Sequence, residues 1–239
     1  GKRMFDDFKA QDGCLHGLLE MVLQDGTLEL EMRGKGAAAI YYRGGRLFRI
    51  EQDGSTYALT FDANYCFAGN ELAGNLSITD AVQNAPIYKQ SMDRWLAKHG
   101  KYESEFRQIV VRDNNWHGET SHATDYYIAD IEYAYAGKRL DMVAVHWPST
   151  GAMRKNRTAP KLALIEMKYG DGSLGGESGI MEHLQDFMNF RQTADISAIC
   201  ADYAEVFRQK CDLGLIPDLA DLPHDIVIQS EDVDLIFLL

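Results

Sequence analysis

The chain has 239 residues, of which 46% are hydrophobic and 25% are charged. This balance excludes a disordered chain, a collagen-like chain and a disulfide-dense mini-protein. The formal net charge of −12 argues against a protein that coats nucleic acid, because contacts to phosphates need Lys and Arg. The acidity is uneven, however: residues 169–239 carry 3 basic and 14 acidic groups, whereas residues 101–168 carry 10 and 9. The middle of the chain therefore remains compatible with binding a polyanion.

The first part of the chain predicts a helix followed by a small antiparallel meander. Apolar residues repeat with helical spacing across residues 4–23. The segment Arg43-Gly44-Gly45-Arg46 predicts a hairpin, because glycine tolerates the positive φ angles of a tight turn. Strands are predicted at residues 28–33, 37–43, 46–51 and 55–62.

The remainder predicts a mixed central sheet flanked by helices. Residues 65–78 have the composition of a loop, and Thr79-Asp80 predicts the cap of a helix that ends near His99. A boundary between two domains is therefore predicted between residues 78 and 79. Further helices are predicted at 102–112, 178–192 and 196–213, and strands at 125–135, 138–147, 161–169, 225–229 and 232–239. This order favours an α/β (α+β) fold over an all-α or all-β fold.

The cysteines and the apolar runs indicate a cellular compartment. The four cysteines, Cys14, Cys66, Cys200 and Cys211, show no C-x-x-C spacing, so we expect free thiols that act as small core residues. No apolar run reaches the length of a membrane span, and the first segment, GKRMFDDFKAQDG, is polar. We therefore expect a cytoplasmic protein with no membrane partner.

The clearest chemical signal lies in the segment LALIEMK at residues 162–168. Alternate residues of a strand share a face, so Glu166 and Lys168 emerge side by side at the end of an otherwise apolar strand. Because both of its faces are apolar, this strand is predicted to be central and buried. Two charges at its tip are costly unless they are paired or functional, so a structural ion pair and a reactive pair are the two interpretations.

Asp141 interrupts a second apolar strand, in the segment RLDMVAV. If Ala136-Gly137 forms a two-residue turn, Tyr135 pairs with Lys138, and Glu132 lies opposite Asp141 on the same face. Opposed carboxylates repel each other unless a cation is nearby or one of them is protonated. Mg²⁺ would relieve that repulsion, because it prefers hard oxygen ligands.

The helix that precedes these strands could supply another acidic group. Glu103 shares a helical face with Phe106 and Val110, and Glu105 shares a face with Ile109. Either glutamate could therefore point at the sheet, and solvated surface positions are the alternative.

Together these residues resemble the active-site pattern of the PD-(D/E)XK nuclease superfamily. In that superfamily a helix supplies a Glu, one strand supplies an Asp, and a further strand supplies an acidic-x-Lys triplet. The resemblance covers about residues 101–239 and implies a restriction-endonuclease-like core with the order α-β-β-β-α-β. One departure is Leu140, which stands where the pattern has Pro.

The resemblance implies a role for each matching residue. Asp141 and Glu166 would bind Mg²⁺ or Mn²⁺ together with the backbone carbonyl of Met167. Lys168 would position the attacking water or neutralise charge in the transition state. The remaining candidate metal ligands are Glu105, Glu103 and Glu132.

Three further features surround this pattern. Four cations and no acidic residue lie between Asp141 and Glu166, a composition that suits backbone phosphates, with a solvated basic loop as the alternative. They are Arg154, Lys155, Arg157 and Lys161. The glycine-rich residues 170–176 predict either a flap or a flexible connector. On the next helix Gln185 is a possible site residue and His183 a weaker candidate. Some members of the superfamily carry a functional Gln on this helix with a Tyr four residues later. Gln185 matches this pattern in part, because Asn189 stands in place of the Tyr.

The sequence thus predicts a Mg²⁺-dependent nuclease that cleaves DNA in preference to RNA. A homodimer would suit the cutting of both strands of a duplex. One alternative is a catalytically silent nuclease-fold module that binds nucleic acid or a partner protein. Another is a metal-dependent hydrolase of small phosphate esters. The intact set of Asp141, Glu166 and Lys168 favours catalysis, whereas the acidic last third favours a weak or partner-assisted binder.

Overall fold

A computed structural model describes residues 2–66, 72, 74–116, 124–135, 138–148, 160–169, 179–219 and 226–239. In this part of the chain the fold is mixed α+β, with two separate sheets. The contacts form two compact units. The first comprises Gly1–Ile109 and Leu213–Leu215, and the second comprises Val110–Asp212 and Ile216–Leu239. None of the described helices has the length and apolar composition needed to cross a membrane.

The first unit begins with two helices where one was predicted over residues 4–23. α1 spans Lys2–Lys9 and α2 spans His16–Gln24. Gly13 lies between them, and a β-carbon at this position would overlap the backbone carbonyl of Asp7. The chain therefore turns back on itself at a point that glycine allows, and apolar periodicity alone does not show this break.

An antiparallel sheet follows, with five strands in sequence order. The first four strands confirm the predicted meander, whereas β5 corrects the prediction of a loop over residues 65–78. β5 has only two residues, which is too short for an alternating pattern to be recognised, and it pairs with β4. The strands are β1 (Leu28–Arg33), β2 (Ala37–Tyr42), β3 (Gly45–Asp53), β4 (Thr56–Thr60) and β5 (Asn75–Leu76).

The β2–β3 hairpin has the predicted tight turn, shifted by one residue. Arg43 (φ 50°) and Gly44 (φ 74°) form the turn, while Gly45 pairs with Tyr42 as part of the ladder. A β-carbon on Gly44 would overlap the backbone carbonyl of Ser104. Glycine at position 44 is therefore required by both the left-handed backbone and the close approach of a second segment.

α3 spans Ile78–Leu96 and is capped by Ser77, whose hydroxyl oxygen accepts a hydrogen bond from the Asp80 N–H at 3.0 Å. The helix thus starts before the predicted cap at Thr79-Asp80. Asp80 instead occupies the third helical position, where its carboxylate accepts a hydrogen bond from the Ser77 hydroxyl at 2.7 Å. The Ser77 hydroxyl thus accepts from the backbone of Asp80 and donates to its side chain, whereas in a capping box the third side chain accepts from the backbone N–H of the cap.

α3 packs against the sheet of the first unit. Tyr88 meets Phe48 of β3 edge to face, with ring centroids 5.3 Å apart. The buried hydroxyl of Ser91 donates a hydrogen bond to the Tyr65 carbonyl at 2.6 Å. These contacts place α3 in the first unit, so the predicted boundary between residues 78 and 79 falls inside that unit.

The second unit contains a four-stranded sheet in the order β6-β7-β8-β9. The first three strands are antiparallel neighbours and β9 pairs in parallel with β8, which confirms the predicted mixed sheet. Residues 229–238 form one strand where two were predicted. The strands are β6 (Tyr126–Tyr135), β7 (Lys138–His146), β8 (Lys161–Met167) and β9 (Gln229–Leu238).

The helices of this region agree with the predictions to within a few residues. α4 spans Tyr102–Trp116 and runs from the first unit into the second. α5 spans Ile180–Thr193 and α6 spans Ile196–Asp212. Short 3-10 turns occur at Gly34–Gly36, Ala63–Tyr65 and Pro217–Leu219.

All four cysteines are free, as predicted. Cys200 and Cys211 are buried, and burial raises the pKa of their thiols to about 11 and about 12. Cys14 is exposed and Cys66 is half-buried, so the predicted role as core residues holds for two of the four.

We expect Gly44→Ala to lower the free energy of unfolding by about 3 kcal/mol or more. A left-handed backbone costs an L-residue roughly 1–2 kcal/mol, and the overlap with Ser104 adds to it. Gly54→Ala is the matched control, because Gly54 also has a positive φ (56°) but no atom lies within 4 Å of its added β-carbon. Urea denaturation of both variants would contradict the close approach at Gly44 if the two losses were equal.

Candidate active site

The strand register brings Asp141 and Glu166 together. Met142 of β7 pairs with Ile165 of β8. Asp141 and Glu166 follow this pair at the same end of the two strands. The Asp141 carboxylate accepts a hydrogen bond from the Met167 N–H and raises the pKa of the Glu166 carboxyl, so the two carboxyl groups are neighbours.

Glu166 is buried at this end of β8. Its relative exposure is 2%, and its Oε1 atom has no hydrogen-bond partner among the described residues. Burial, followed by the negative charge of Asp141, raises the pKa of the Glu166 carboxyl from 4.5 to about 8, although the Lys168 ammonium acts in the opposite direction. Near neutral pH this carboxyl therefore holds a proton unless another cation takes its place.

The backbone of β8 fixes the Asp141 side chain. The Met167 N–H donates a hydrogen bond to Asp141 Oδ2 at 2.9 Å. Asp141 is half-buried, and its carboxylate is thus tied to the residue that follows Glu166. Metal binding by the Met167 carbonyl remains a prediction.

Lys168 contacts His183, which the sequence indicated only as a weaker candidate. Its ammonium nitrogen lies 2.7 Å from His183 Nε2, and His183 Nδ1 lies 3.5 Å from Glu166 Oε2. His183 therefore connects the two members of the Glu-x-Lys motif. A signal for this was present in the sequence, because His183, Phe187 and Phe190 follow helical spacing on one face of α5, and both phenylalanines are buried.

Glu132 has the register that the two-residue turn predicts. Ile131 pairs with Met142 and Tyr133 pairs with Leu140, which puts Glu132 opposite Asp141. Its backbone has φ 59°, a left-handed value that is strained for glutamate. Its carboxylate lies 3.6 Å from the Arg139 guanidinium. A cation would compete with this partner, and a role of Glu132 as metal ligand remains a prediction.

The two helix glutamates belong to the first unit, whereas Asp141 and Glu166 belong to the second. Glu105 accepts a hydrogen bond from Arg43 at 2.9 Å, and the same guanidinium binds Asp93 at 2.8 Å. Glu105 is thus engaged in an ion-pair network. Glu103 is half-buried in the first turn of α4. Metal binding by either glutamate remains a prediction.

Most of the predicted basic loop lies outside the described residues, including Arg154, Lys155 and Arg157, as do glycine-rich residues 170–178. Lys161 is described, and its ammonium lies 2.5 Å from Asp232 Oδ2. This hydrogen bond raises the pKa of Lys161. A phosphate would therefore compete with an existing partner at Lys161.

Gln185, the other predicted residue of α5, lies on the exposed surface of that helix. Its side-chain amide donates a hydrogen bond to Asn189 Oδ1 at 3.3 Å. The structure thus brings His183, rather than Gln185, to the Glu-x-Lys motif, and a role for Gln185 remains a prediction.

The residues present are compatible with a hard divalent cation. The part of the chain that the structure describes holds no group of three or more His, Cys, Asp or Glu side chains placed to bind a metal ion. Mg²⁺, however, is commonly held by one or two carboxylates, with water and substrate phosphates as its other ligands. Asp141 and Glu166, whose buried Oε1 has no hydrogen-bond partner in the part of the chain that the structure describes, provide two such carboxylates.

Comparison of the chain with protein-family models, with curated proteins and with solved structures finds no match. The resemblance to the PD-(D/E)XK superfamily therefore depends on the motif residues and on their placement. The chemistry available at this site is that of four side chains, Asp141, Glu166, Lys168 and His183.

We expect the stability of the protein to fall as the pH rises from about 5 to about 8 in the presence of EDTA. Over this range the native state keeps the proton on Glu166, whereas the unfolded chain releases it near pH 4.5. Proton release therefore stabilises the unfolded state and lowers the free energy of unfolding. Glu166→Gln should remove this part of the pH dependence.

Urea unfolding at pH 5.5 and pH 8 measures the effect. Glu231→Gln, which changes an exposed glutamate of β9, is the control and should behave like the wild type. Added Mg²⁺ should restore stability at pH 8 in the wild type and not in Glu166→Gln. An unchanged pH dependence in Glu166→Gln would show that Glu166 is not the responsible group.

Proposed function

We propose that this protein is a metal-dependent nuclease that hydrolyses phosphodiester bonds in nucleic acid, DNA in preference to RNA. In this proposal the second unit has a restriction-endonuclease-like core with a PD-(D/E)XK-type site. The observation that carries the proposal is the buried Glu166 carboxyl, which lies beside Asp141, is followed by Lys168 and has an oxygen, Oε1, with no hydrogen-bond partner among the described residues. A purely structural ion pair would not require a second carboxylate in contact with the buried one.

The order of elements supports this proposal. Helix α4 is followed by the antiparallel strands β6, β7 and β8, then by α5, and β9 joins β8 in parallel. This is the α-β-β-β-α-β order that the sequence resemblance implies, with α6 as an additional helix. Asp141 and the Glu-x-Lys motif stand on the second and third of the consecutive strands, as the pattern requires.

The charges at the site favour a divalent cation as cofactor. Asp141 and Glu166 would supply two anionic oxygens, and Mg²⁺ or Mn²⁺ would replace the proton that burial otherwise imposes on Glu166. Such an ion polarises a phosphoryl oxygen and lowers the pKa of a bound water. The strained backbone at Glu132 lies on the neighbouring strand, and strain of this kind is frequent at functional sites.

Lys168 would act on the phosphate. Its ammonium has three N–H donors and contacts His183, and in this proposal its other donors would contact substrate oxygens. Donors held in place before the reaction stabilise the negative charge that develops in a phosphoryl transition state. Arg154, Lys155 and Arg157 would add contacts to the nucleic-acid backbone, and a homodimer would present one site to each strand.

We expect the wild type to cleave plasmid or single-stranded DNA in the presence of Mg²⁺ or Mn²⁺, and Asp141→Asn, Glu166→Gln and Lys168→Met to lower the rate about 100-fold or more. Glu231→Gln should keep the wild-type rate. An agarose gel assay with and without EDTA measures cleavage. Equal activity of wild type and variants would point to a contaminating nuclease and would contradict the proposal.

A second candidate is a module that binds nucleic acid without cleaving it. It is favoured by a basic and aromatic segment of the first unit, residues 94–102, which has no acidic residue. Its cations are Arg94, Lys98 and Lys101, all on the exposed surface. Phosphates would be attracted to such a cluster despite the acidity of the whole chain.

The aromatic residues of this segment would provide stacking surfaces. Trp95 and His99 stack with ring centroids 4.4 Å apart, and the Lys101 ammonium lies 5.1 Å above the Trp95 ring. Tyr102 is 62% exposed. Aromatic side chains next to cations are typical of single-strand binding surfaces, because bases stack on the rings while the cations contact phosphates.

We expect the triple substitution Lys98→Ala, Lys101→Ala and Tyr102→Ala to weaken binding of a single-stranded oligonucleotide at least 10-fold. It should also reduce the slope of log K against log salt by about 2, since two phosphate contacts are lost. Filter binding in EDTA measures both. The double variant Lys2→Ala and Lys9→Ala, in α1, is the charge-matched control, and an equal effect there would contradict a local surface.

A further inference from the structure

His183 stands on the inward face of α5. Phe187 and Phe190 follow it at helical spacing and are buried, and the His183 side chain is 20% exposed. The ring is therefore anchored by the helix beside the end of β8, with its two nitrogens available to the Glu-x-Lys motif. Gln185 points to the exposed surface of the same helix instead.

The contacts of His183 define its tautomer. An ammonium group can only donate, so at 2.7 Å from Lys168 Nζ the Nε2 atom of a neutral His183 must be the acceptor. The ring proton then resides on Nδ1. This N–H faces Glu166 Oε2 at 3.5 Å, a close electrostatic contact rather than a full hydrogen bond.

This arrangement limits the motion of two groups. A lysine side chain has four rotatable bonds and keeps much of its freedom at a protein surface. A hydrogen bond to the His183 acceptor restricts the Lys168 ammonium and requires only one of its three N–H donors. The Nδ1–H lies on the Oε2 side of Glu166, whereas the buried Oε1 has no hydrogen-bond partner among the described residues.

We propose that His183 is a positioning residue of the cleavage site, which holds the Lys168 ammonium and orients the Glu166 carboxylate for its cation. The inference rests on the nuclease function proposed above. His183 is not itself a metal ligand in this arrangement, because Nδ1 carries the proton and Nε2 is occupied by the ammonium. Groups that orient the residues of a metal site in this way typically contribute 10- to 100-fold to activity.

The contact can be tested without any measurement of cleavage. In ¹⁵N-labelled protein at pH 8 in EDTA, ring ¹⁵N–¹H correlation spectra should show His183 as the Nδ1–H tautomer. Lys168→Met should shift the His183 Nε2 resonance, because the hydrogen bond to it is lost. The spectrum of His183→Gln assigns the signal. An Nε2–H tautomer, or no response to Lys168→Met, would overturn the proposal.

Two isosteric substitutions separate the two contacts in the cleavage assay. His183→Gln can place an amide oxygen near the position of Nε2 and accept from Lys168, whereas His183→Asn can place its amide near Nδ1 only. We expect kcat to fall 10- to 100-fold in His183→Ala and His183→Asn, with KM changed by less than about 3-fold, and to recover to within a few-fold of wild type in His183→Gln. Equal losses in Gln and Ala variants would contradict positioning through Lys168.

Cation binding distinguishes failure of this inference from failure of the nuclease proposal. Mn²⁺ binding, measured by calorimetry on folded variants with unchanged circular dichroism, should weaken by no more than about 100-fold in His183→Ala and be lost in Asp141→Asn. A loss in His183→Ala as complete as that in Asp141→Asn would make His183 a ligand and overturn the positioning role. If the wild type binds no Mn²⁺ and cleaves nothing, the nuclease proposal fails, and the ring spectra alone decide whether His183 holds Lys168.

Discussion

The burial of one carboxyl group, that of Glu166, constrains the chemistry at the end of β8. Removing an ionised carboxylate from water costs several kcal/mol unless partners replace the lost hydration. Each neighbour bears on that cost: Asp141 adds a negative charge, Lys168 supplies a positive charge, and His183 turns an N–H toward one oxygen. The remaining oxygen has no partner among the described residues. Near neutral pH a proton on Glu166 relieves this cost, and in the function proposed above a divalent cation would take its place.

In the first unit the buried side chain of Gln108, unlike that of Glu166, has hydrogen-bond partners for both its oxygen and its nitrogen. The Gln108 amide oxygen accepts a hydrogen bond from the Gly44 N–H at 2.5 Å, and its amide nitrogen donates to the Thr27 carbonyl at 2.9 Å. Gln108 therefore has partners for both halves of its amide and locks α4 to the β2–β3 hairpin. Such a satisfied group specifies structure, whereas Glu166 Oε1 has no hydrogen-bond partner among the described residues.

The elements that the sequence predicted well are those determined by local rules. The alternation of apolar residues predicted β7 and β8. The assumption of a two-residue turn at Ala136-Gly137 predicted the β6–β7 register, and the pairing of Tyr135 with Lys138 confirms that register. The proximity of Asp141 and Glu166 follows from the adjacent antiparallel pairing of β7 with β8.

The features that the sequence did not predict depend on contacts between distant residues or on one backbone position. The break between α1 and α2 follows from a close approach at Gly13, and β5 exists only because β4 is there to pair with it. His183 reaches Lys168 across 15 positions of sequence, a separation from which no spacing rule gives a distance. Its helical face was nevertheless readable from Phe187 and Phe190.

The parallel pairing of β8 with β9 has a consequence for the order of folding. β6, β7 and β8 are consecutive in the chain, whereas Leu162 of β8 pairs with the distant Val233 of β9. Pairing of β9 therefore closes a much longer loop, and its entropic cost precedes the contacts that offset it. Glu166 lies opposite Phe237 of β9 in this pairing. We therefore expect β9 to join the sheet after β6, β7 and β8 have paired, and its docking to add an apolar neighbour beside the Glu166 carboxyl.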